Sequence, residues 1–206
     1  YTGISDQMDL KLMGTIYSKG SWNGRIETNY KKRYKYDGNL ALTFGRNVYG
    51  EEGDPEFRNT RSYAIKWNHN QSNTAHPYRT FSASVNISYI DNRRNRLEGP
   101  SSRLRNQLRS TVNYSHSLPR SVFSQLNLSA QNTQNLNQGS FDLTLPSGNL
   151  STRRLQPFKG SDAAILSNVG IDYDLQFRNE LSTGDSVLFE PETWNQWEYG
   201  AQQSAN

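Results

Sequence analysis

The chain has 206 residues, of which 33% are hydrophobic, and its mean hydropathy of −0.89 is too low for a globular protein with an ordinary core. Its net charge of +4 comes from 23 basic and 19 acidic residues without a long basic block, which argues against a nucleic-acid partner. The chain has no cysteine, which excludes thiolate chemistry within it, and no apolar run of about 18 residues that would predict a transmembrane helix.

The first patterned stretch, Met8 to Tyr30, alternates apolar and polar residues. A two-residue period is typical of β-strands whose two faces meet different surroundings. Ser18-Lys19-Gly20 fits a three-residue hairpin loop between the two halves of the stretch. One face carries Met8, Leu10, Leu12, Gly14, Ile16, Trp22, Gly24, Ile26, Thr28 and Tyr30, and the other carries Asp9, Lys11, Met13, Thr15, Tyr17, Asn23, Arg25, Glu27 and Asn29.

The same period recurs along the rest of the chain. It predicts an all-β fold of about nine or ten antiparallel strands, joined as a hairpin meander. No linker marks a domain boundary, so residues 1–206 are expected to form part of one domain. The apolar stripes, in chain order, are Gly38-Leu40-Leu42-Phe44, Tyr63-Ile65-Trp67, Phe81-Ala83-Val85-Ile87-Tyr89, Leu108-Ser110-Val112-Tyr114-His116, Leu126-Leu128-Ala130, Phe141-Leu143-Leu145 and Val169-Ile171-Tyr173-Leu175-Phe177.

Strand length and aromatic placement favour a membrane barrel over a soluble β-sandwich. The stripes imply strands of roughly 10–13 residues, against a usual five or six, and a tilted stripe of about nine residues spans near 25 Å, the height of an outer-membrane apolar band. We therefore predict the wall of a larger outer-membrane β-barrel, with its apolar face toward lipid and its charged face toward a wet lumen. The aromatics expected at the membrane interfaces are Tyr17, Trp22, Tyr30, Tyr36, Tyr63 and Tyr89.

Catalytic and metal-binding constellations are not predicted. The three histidines, His69, His76 and His116, do not stand with other ligands at metal-binding spacing. None of them has a serine and a polar orienting residue in the arrangement that a barrel lipase needs. We expect no enzyme activity and no cofactor.

Several segments resemble the LptD (OstA) family of lipopolysaccharide-assembly proteins. The resemblance runs over nearly the whole chain, through ISDQMDLKLMGTIYSKGSW, NYKKRYKYDGNLALTFGRNVYG, FSASVNISY, SAQNTQNLNQGSFDLTLP, RRLQPFK and VGIDYDLQFRNELSTGDSVLFEPETW. It implies an outer-membrane barrel of roughly two dozen strands, of which this chain supplies fewer than half. It also implies lipopolysaccharide as substrate, with a plug lipoprotein of the LptE type, periplasmic Lpt bridge proteins and outer-membrane lipid as partners.

The resemblance implies roles for named residues. Lipopolysaccharide leaves such barrels sideways between the first and last strands, and residues 8–17 resemble the second strand. Gly14 stands where better-known members have proline, so it is expected either to give the gate flexibility or to make room for a neighbour. The residues expected to face the lumen, where they would contact a plug protein or lipopolysaccharide, are Asp9, Lys11, Arg25, Glu27, Asp172 and Asp174.

Two questions stay open at this stage. Loop length places residues 50–59 and 91–103 outside the cell, whereas the resemblance places the turn at Gly20, and with it both loops, in the periplasm. The alternative functions are a porin or TonB-dependent nutrient transporter barrel, and a soluble carbohydrate-binding sandwich. An upstream jellyroll domain and a partner lipoprotein would distinguish a lipopolysaccharide-assembly barrel from the transporters.

Overall fold

The fold is one antiparallel β-sheet, as seen in a computed structural model that describes residues 2–55, 57–90, 107–136, 138–156, 170–184, 195 and 197–205. Eleven strands lie side by side in sequence order, so that each pairs with the strands before and after it in the chain. This arrangement confirms the prediction of an all-β antiparallel barrel wall, with one strand more than the upper estimate. No helix within the described ranges is long and apolar enough to cross a membrane.

The strands are long, as the length of the apolar stripes predicts. From β2 to β10 they have nine to fourteen residues. A 3₁₀ turn, Ser18–Gly20, joins β2 to β3, with Lys19 and Gly20 at positive φ. The strands are β1 (Thr2–Ser5), β2 (Met8–Ile16), β3 (Trp22–Lys32), β4 (Tyr36–Tyr49), β5 (Arg58–Gln71), β6 (Arg79–Ile90), β7 (Gln107–Ser117), β8 (Phe123–Asn135), β9 (Ser140–Thr152), β10 (Tyr173–Gly184) and β11 (Glu198–Ala205).

Strand register keeps apolar side chains together on one face of the sheet. Leu12 lies opposite Ile26, which lies opposite Leu42 in the next strand, while Lys11 lies opposite Glu27 on the other side of the sheet. Because side chains alternate along a strand, these pairs fix the two faces across β2–β4. We call the side with Leu12 the apolar face and the side with Lys11 the polar face.

Two cavities are lined mainly by residues of the polar face. Residues from β6 to β11, most of them uncharged, line one of about 790 Å³, and residues from β2 to β5 line most of a second, of about 670 Å³. The sheet is not closed, because no pairing joins β1 to β11 among the described residues. The architecture is therefore that of an open piece of barrel wall with one polar face.

The predicted stripe from Val169 to Phe177 is wrong at its start. β10 begins only at Tyr173, and Ile171 forms an isolated bridge with Leu155 instead of a strand ladder. Asp172, predicted to face the lumen from a strand, lies in the connection before β10 and is exposed. Val169 and the whole loop at 91–103 lie outside the described residues.

Pairing between β6 and β7 stops half-way along both strands. The ladder runs from Arg79 opposite His116 to Ser84 opposite Thr111, although β6 stays paired with β5 up to Ile90. Beyond that point side chains replace the missing backbone partners. Ser110 Oγ lies 2.9 Å from the backbone N of Asn86, whose N–H it accepts.

Candidate functional site

The charged residues predicted for the lumen form a small ionic cluster on the polar face of β2 and β3. Lys11 Nζ lies 3.9 Å from Glu27 Oε2 across the two strands. Arg25 Nε donates to Glu27 Oε1 at 2.7 Å, and a second guanidinium nitrogen pairs with the same oxygen. The Arg25 and Glu27 side chains are 44% and 28% exposed, so this pairing gives the wall little stability. The cluster instead leaves partly exposed charged groups on the polar face.

Asp9 takes the place of a backbone partner in the β2–β3 seam, by which we mean the hydrogen-bonded ladder between those strands. Its Oδ1 accepts the backbone N–H of Asn29 at 2.8 Å, and its own carbonyl accepts the hydroxyl of buried Thr28 at 2.7 Å. In a regular ladder the Asn29 N–H would bond to a backbone carbonyl. The seam therefore depends on side chains at this level of the wall.

Two glycines, Gly14 and Gly24, lie opposite each other in the same seam, toward the end that the turn at Ser18–Gly20 closes. A Cβ on Gly24 would lie 2.3 Å from Cε2 of Phe44, so that ring covers this glycine. A Cβ on Gly14 would meet no described atom within 4 Å. Gly14 was expected either to give flexibility or to make room for a neighbour, and no described neighbour lies close enough to need that room. Gly14 leaves its part of β2 without a packing side chain.

The polar face changes character beyond β5, where hydrogen-bonded amides and hydroxyls predominate. Ser115 Oγ donates to Asn127 Oδ1 at 2.7 Å, and Asn127 Nδ2 donates to Asn149 Oδ1 at 2.9 Å. Such a row presents hydrogen-bond donors and acceptors and carries no strong nucleophile. The uncharged polar residues that line the larger cavity are Thr80, Ser82, Asn113, Ser115, Asn127, Ser129, Ser147, Asn149, Gln176 and Gln202.

The structure brings only some of the predicted lumen residues together. Asp9, Lys11, Arg25 and Glu27 share one patch on β2 and β3. Asp174 stands on β10, where it lies opposite Ser151 of β9, seven strands along the described sheet from β3. A single ligand that touches both groups would have to cross the lumen.

The predicted interface aromatics fall into two groups at opposite ends of the strands. Trp22 contacts Phe44 with ring centroids 6.0 Å apart, and Tyr63 lies 6.4 Å from Tyr89 at the same end of the sheet. Tyr17 follows β2 at that end and is 56% exposed. Tyr30 and Tyr36 lie at the other end, with ring centroids 6.1 Å apart. This is the separation into two belts that a spanning sheet requires.

The histidines take part in aromatic contacts and hydrogen bonds. His69 Nδ1 lies 2.9 Å from Tyr30 Oη, and His116 lies opposite Arg79 at the end of the β6–β7 ladder. Among the residues that the structure describes, no three His, Cys, Asp or Glu side chains group as metal ligands. This arrangement suits an interfacial belt more than a reactive centre.

Gln134 was missed by the sequence analysis. It stands opposite Leu108, on the apolar side of β8, yet it is only 2% exposed. Its Nε2 donates to the Ser88 carbonyl at 2.6 Å, and its Oε1 accepts the Ser88 N–H at 3.2 Å. The signal in the sequence is a stripe of Leu126, Leu128 and Ala130 that ends in a polar residue of its own parity.

Comparison with known proteins adds one decisive match. A family model described as LptD protein matches residues 1–206, the whole chain. The chain belongs to the LptD family. No curated protein and no solved structure matches it.

Membership confirms the resemblance to the LptD family. LptD proteins take part in lipopolysaccharide transport and assembly, and the family is not an enzyme family. They reside in the outer membrane of Gram-negative bacteria, with which an all-β sheet of long strands is consistent. The family therefore implies lipopolysaccharide as the substrate and proteins of the Lpt pathway as partners.

Proposed function

We propose that this LptD-family chain is part of one outer-membrane barrel domain that inserts lipopolysaccharide into the outer leaflet through a lateral opening beside β2. The observation that carries the proposal is the irregular ladder between β2 and β3. Its register pairs Met8 with Tyr30 and resumes only at Lys11 opposite Glu27. Between these pairs the Asp9 side chain accepts the backbone N–H of Asn29.

Each unpaired backbone group in hydrocarbon costs several kcal/mol, so a regular ladder resists the separation of two strands. The ladder between β2 and β3 is weakened where the Asp9 side chain replaces a backbone partner and where Gly14 faces Gly24. Both features lower the cost of moving β2 away from β3.

The polar face supports the partner that this function needs. The ionic cluster of Lys11, Arg25 and Glu27 and the row of amides from β6 to β9 give a lumen wall suited to a polar plug. We propose a lipoprotein of the LptE type as that plug, with periplasmic Lpt bridge proteins delivering the lipopolysaccharide. A porin or a TonB-dependent transporter would share the polar face but would not need a weak seam beside β2.

A reversible disulfide across the weak seam tests the proposal. Leu12→Cys with Ile26→Cys joins directly opposed residues of β2 and β3 in a chain that has no other cysteine. Oxidation should lower lipopolysaccharide at the cell surface, because the seam can no longer deform, and a reducing agent should restore it. Surface lipopolysaccharide and sensitivity to large antibiotics are the readouts.

The matched control places the same bridge in a regular part of the wall. Leu42→Cys with Ile65→Cys joins β4 to β5, whose ladder is continuous from Tyr36 to Tyr49. This variant should export lipopolysaccharide normally in both redox states. Normal export by the oxidised β2–β3 variant would overturn lateral movement at this seam, and a loss of nutrient uptake with unchanged lipopolysaccharide would favour a transporter.

A further inference from the structure

The turn between β3 and β4 carries the densest cluster of cations in the described chain. Lys31, Lys32, Arg33 and Lys35 fall within five consecutive residues, and none of them forms an ion pair with a described carboxylate. Lys32 lies opposite Tyr36 and so shares the apolar-face parity. Asp37, opposite Lys31 on the polar face, is the nearest carboxylate by register. The turn therefore keeps a net positive charge.

A neighbouring turn holds this cluster in place. Residues 72–78 join β5 to β6, and the backbone N–H of Ser72 donates to the Lys35 carbonyl at 2.8 Å. The hydroxyl of Thr74 lies 3.4 Å from the Tyr34 carbonyl. Arg79, at the start of β6, adds an exposed guanidinium beside His76, 3.0 Å from its Nε2. We refer to residues 31–35 and 72–79 together as the basic turn pair.

Exposed aromatic rings accompany these cations. Tyr34 is 68% exposed with a positive φ of 62°, a backbone conformation that few non-glycine residues adopt. The Arg33 guanidinium lies 4.8 Å from the centre of the Tyr34 ring. Tyr78, in the second turn, is 46% exposed. Tyrosine and long cationic side chains at the end of a spanning strand are typical of the headgroup level of a bilayer.

The apolar face directly beneath the basic turn pair is an aromatic floor made of Tyr30, Tyr36, Trp67, His69 and Phe81. Trp67 Nε1 donates to Tyr30 Oη at 2.8 Å, and His69 lies 5.3 Å from Phe81 between ring centroids. The polar atoms of this floor are thus largely bonded within it. It offers an aromatic surface for hydrocarbon next to a group of cations.

We propose that the basic turn pair is a docking surface for the phosphate groups of membrane-lipid headgroups, with the aromatic floor taking the adjoining part of the acyl chains. Charge complementarity selects an anionic partner, and continuity with the apolar face selects a lipid. Cations near a bilayer surface attract anionic lipid. The inference rests on the membrane location of the family and not on lateral opening.

The test measures which lipids surround the reconstituted full-length protein. Spin-labelled phosphatidylglycerol and phosphatidylcholine report, by the fraction with restricted motion, their relative association with the protein in phosphatidylcholine vesicles. The wild type should prefer phosphatidylglycerol by at least about twofold, and K32Q/R33Q/K35Q should bring that ratio close to one. The matched control, R46Q/R58Q/R61Q, removes the same charge from the opposite end of β4 and β5, where Glu51, Glu52 and Asp54 occupy the connecting loop.

Each outcome bears on the proposal. Retention of the preference in the control and its loss in K32Q/R33Q/K35Q support it, and normal lipopolysaccharide export by the latter variant keeps this site separate from the proposed gate. An unchanged preference in K32Q/R33Q/K35Q, or an equal loss in both variants, overturns it. Release of labelled lipid by inorganic phosphate, but not by chloride at equal ionic strength, would show that the surface binds free phosphate and would overturn the assignment to lipid. A wild type that does not float with vesicles overturns both the docking surface and the membrane location.

Discussion

Gln134 illustrates how a single side chain can take over the work of a strand ladder. Its amide bonds both the N–H and the carbonyl of Ser88, a residue of β6 that has no backbone partner in β7. Ser110 does the same for Asn86 one level away. Buried backbone N–H and C=O groups need hydrogen-bond partners. These two polar residues supply such partners from the apolar side of the sheet, so we expect folding to require them.

Gln134→Leu should destabilise the barrel, although the leucine side chain has nearly the same volume as the glutamine side chain that it replaces. It leaves the Ser88 N–H and carbonyl unpaired, at a cost of about 1–3 kcal/mol for each group that stays buried. The measurement is the unfolding midpoint of the purified protein in detergent. Gln131→Leu, at an exposed position of the polar face on the same strand, is the control and should shift the midpoint little. Equal shifts would show that the amide of Gln134 is not needed.

Adjacent residues of β7 test which face meets lipid. Val112 lies on the apolar face between Ala83 and Ala130, and Asn113 lines the larger cavity on the polar face. Val112→Arg should cost about 2–4 kcal/mol if it places a guanidinium near the middle of the membrane, whereas Asn113→Arg should be mild. The heat-modifiability of unboiled samples on gels reports folding. Similar behaviour of the two variants would contradict the facing assignment.

At the scale of the element, β2 differs from the strands that follow it. β4 and β5 pair over fourteen consecutive residue pairs, whereas the ladder between β2 and β3 is interrupted at Asp9. Stability within a barrel wall is therefore uneven, with the regular strands acting as a frame. Segments with few partners are those from which moving parts are drawn.

Gly14→Val and Gly24→Val should separate flexibility from packing in the same seam. The valine at 14 enters open space and favours a pleated strand, so the variant should fold at normal abundance with less surface lipopolysaccharide. The valine at 24 collides with the ring of Phe44, so its protein level should fall. Immunoblots of outer membranes and antibiotic sensitivity are the measurements. Normal export by a folded Gly14→Val variant would show that the flexibility of Gly14 is dispensable.

At the scale of the whole molecule, the wall divides into a charged part and a neutral part. β2 and β3 carry the ionic cluster, while serine and asparagine predominate on the polar face from β6 to β9. A plug protein that fills the lumen would meet both surfaces. Charged residues near the proposed opening would set its orientation, since complementary charge contributes more to register than to affinity.

Photocrosslinking from β2 and β3 locates such a plug. A photoreactive residue in place of Lys11, Arg25 or Glu27 should capture a second protein if the polar face lines the lumen, because these side chains lie partly exposed on that face. The same residue in place of Leu12 or Ile26, on the apolar face, should not. Mass spectrometry of the adducts identifies the partner. Capture from the apolar positions alone would reverse the assignment of the two faces.

The sequence by itself determined the strands, their faces and the family. Alternation is a local property, since successive side chains of a strand point to opposite sides, and so Leu12 and Lys11 could be assigned to faces without knowledge of their partners. The long meander followed from the same pattern, although the structure has one strand more than the upper estimate. Family membership followed from the order of several such segments along the chain.

Only the tertiary structure decided where the ladders are regular and where side chains replace them. The pattern places Ile171 and Asp172 in a strand, yet β10 starts after them, and nothing in β8 alone shows that Gln134 bonds to β6. A strand's backbone groups are satisfied by its neighbours, whose register and length are not encoded in that strand. The contact between the two turns of the basic turn pair is decided in the same way, by the neighbouring segment that each turn meets.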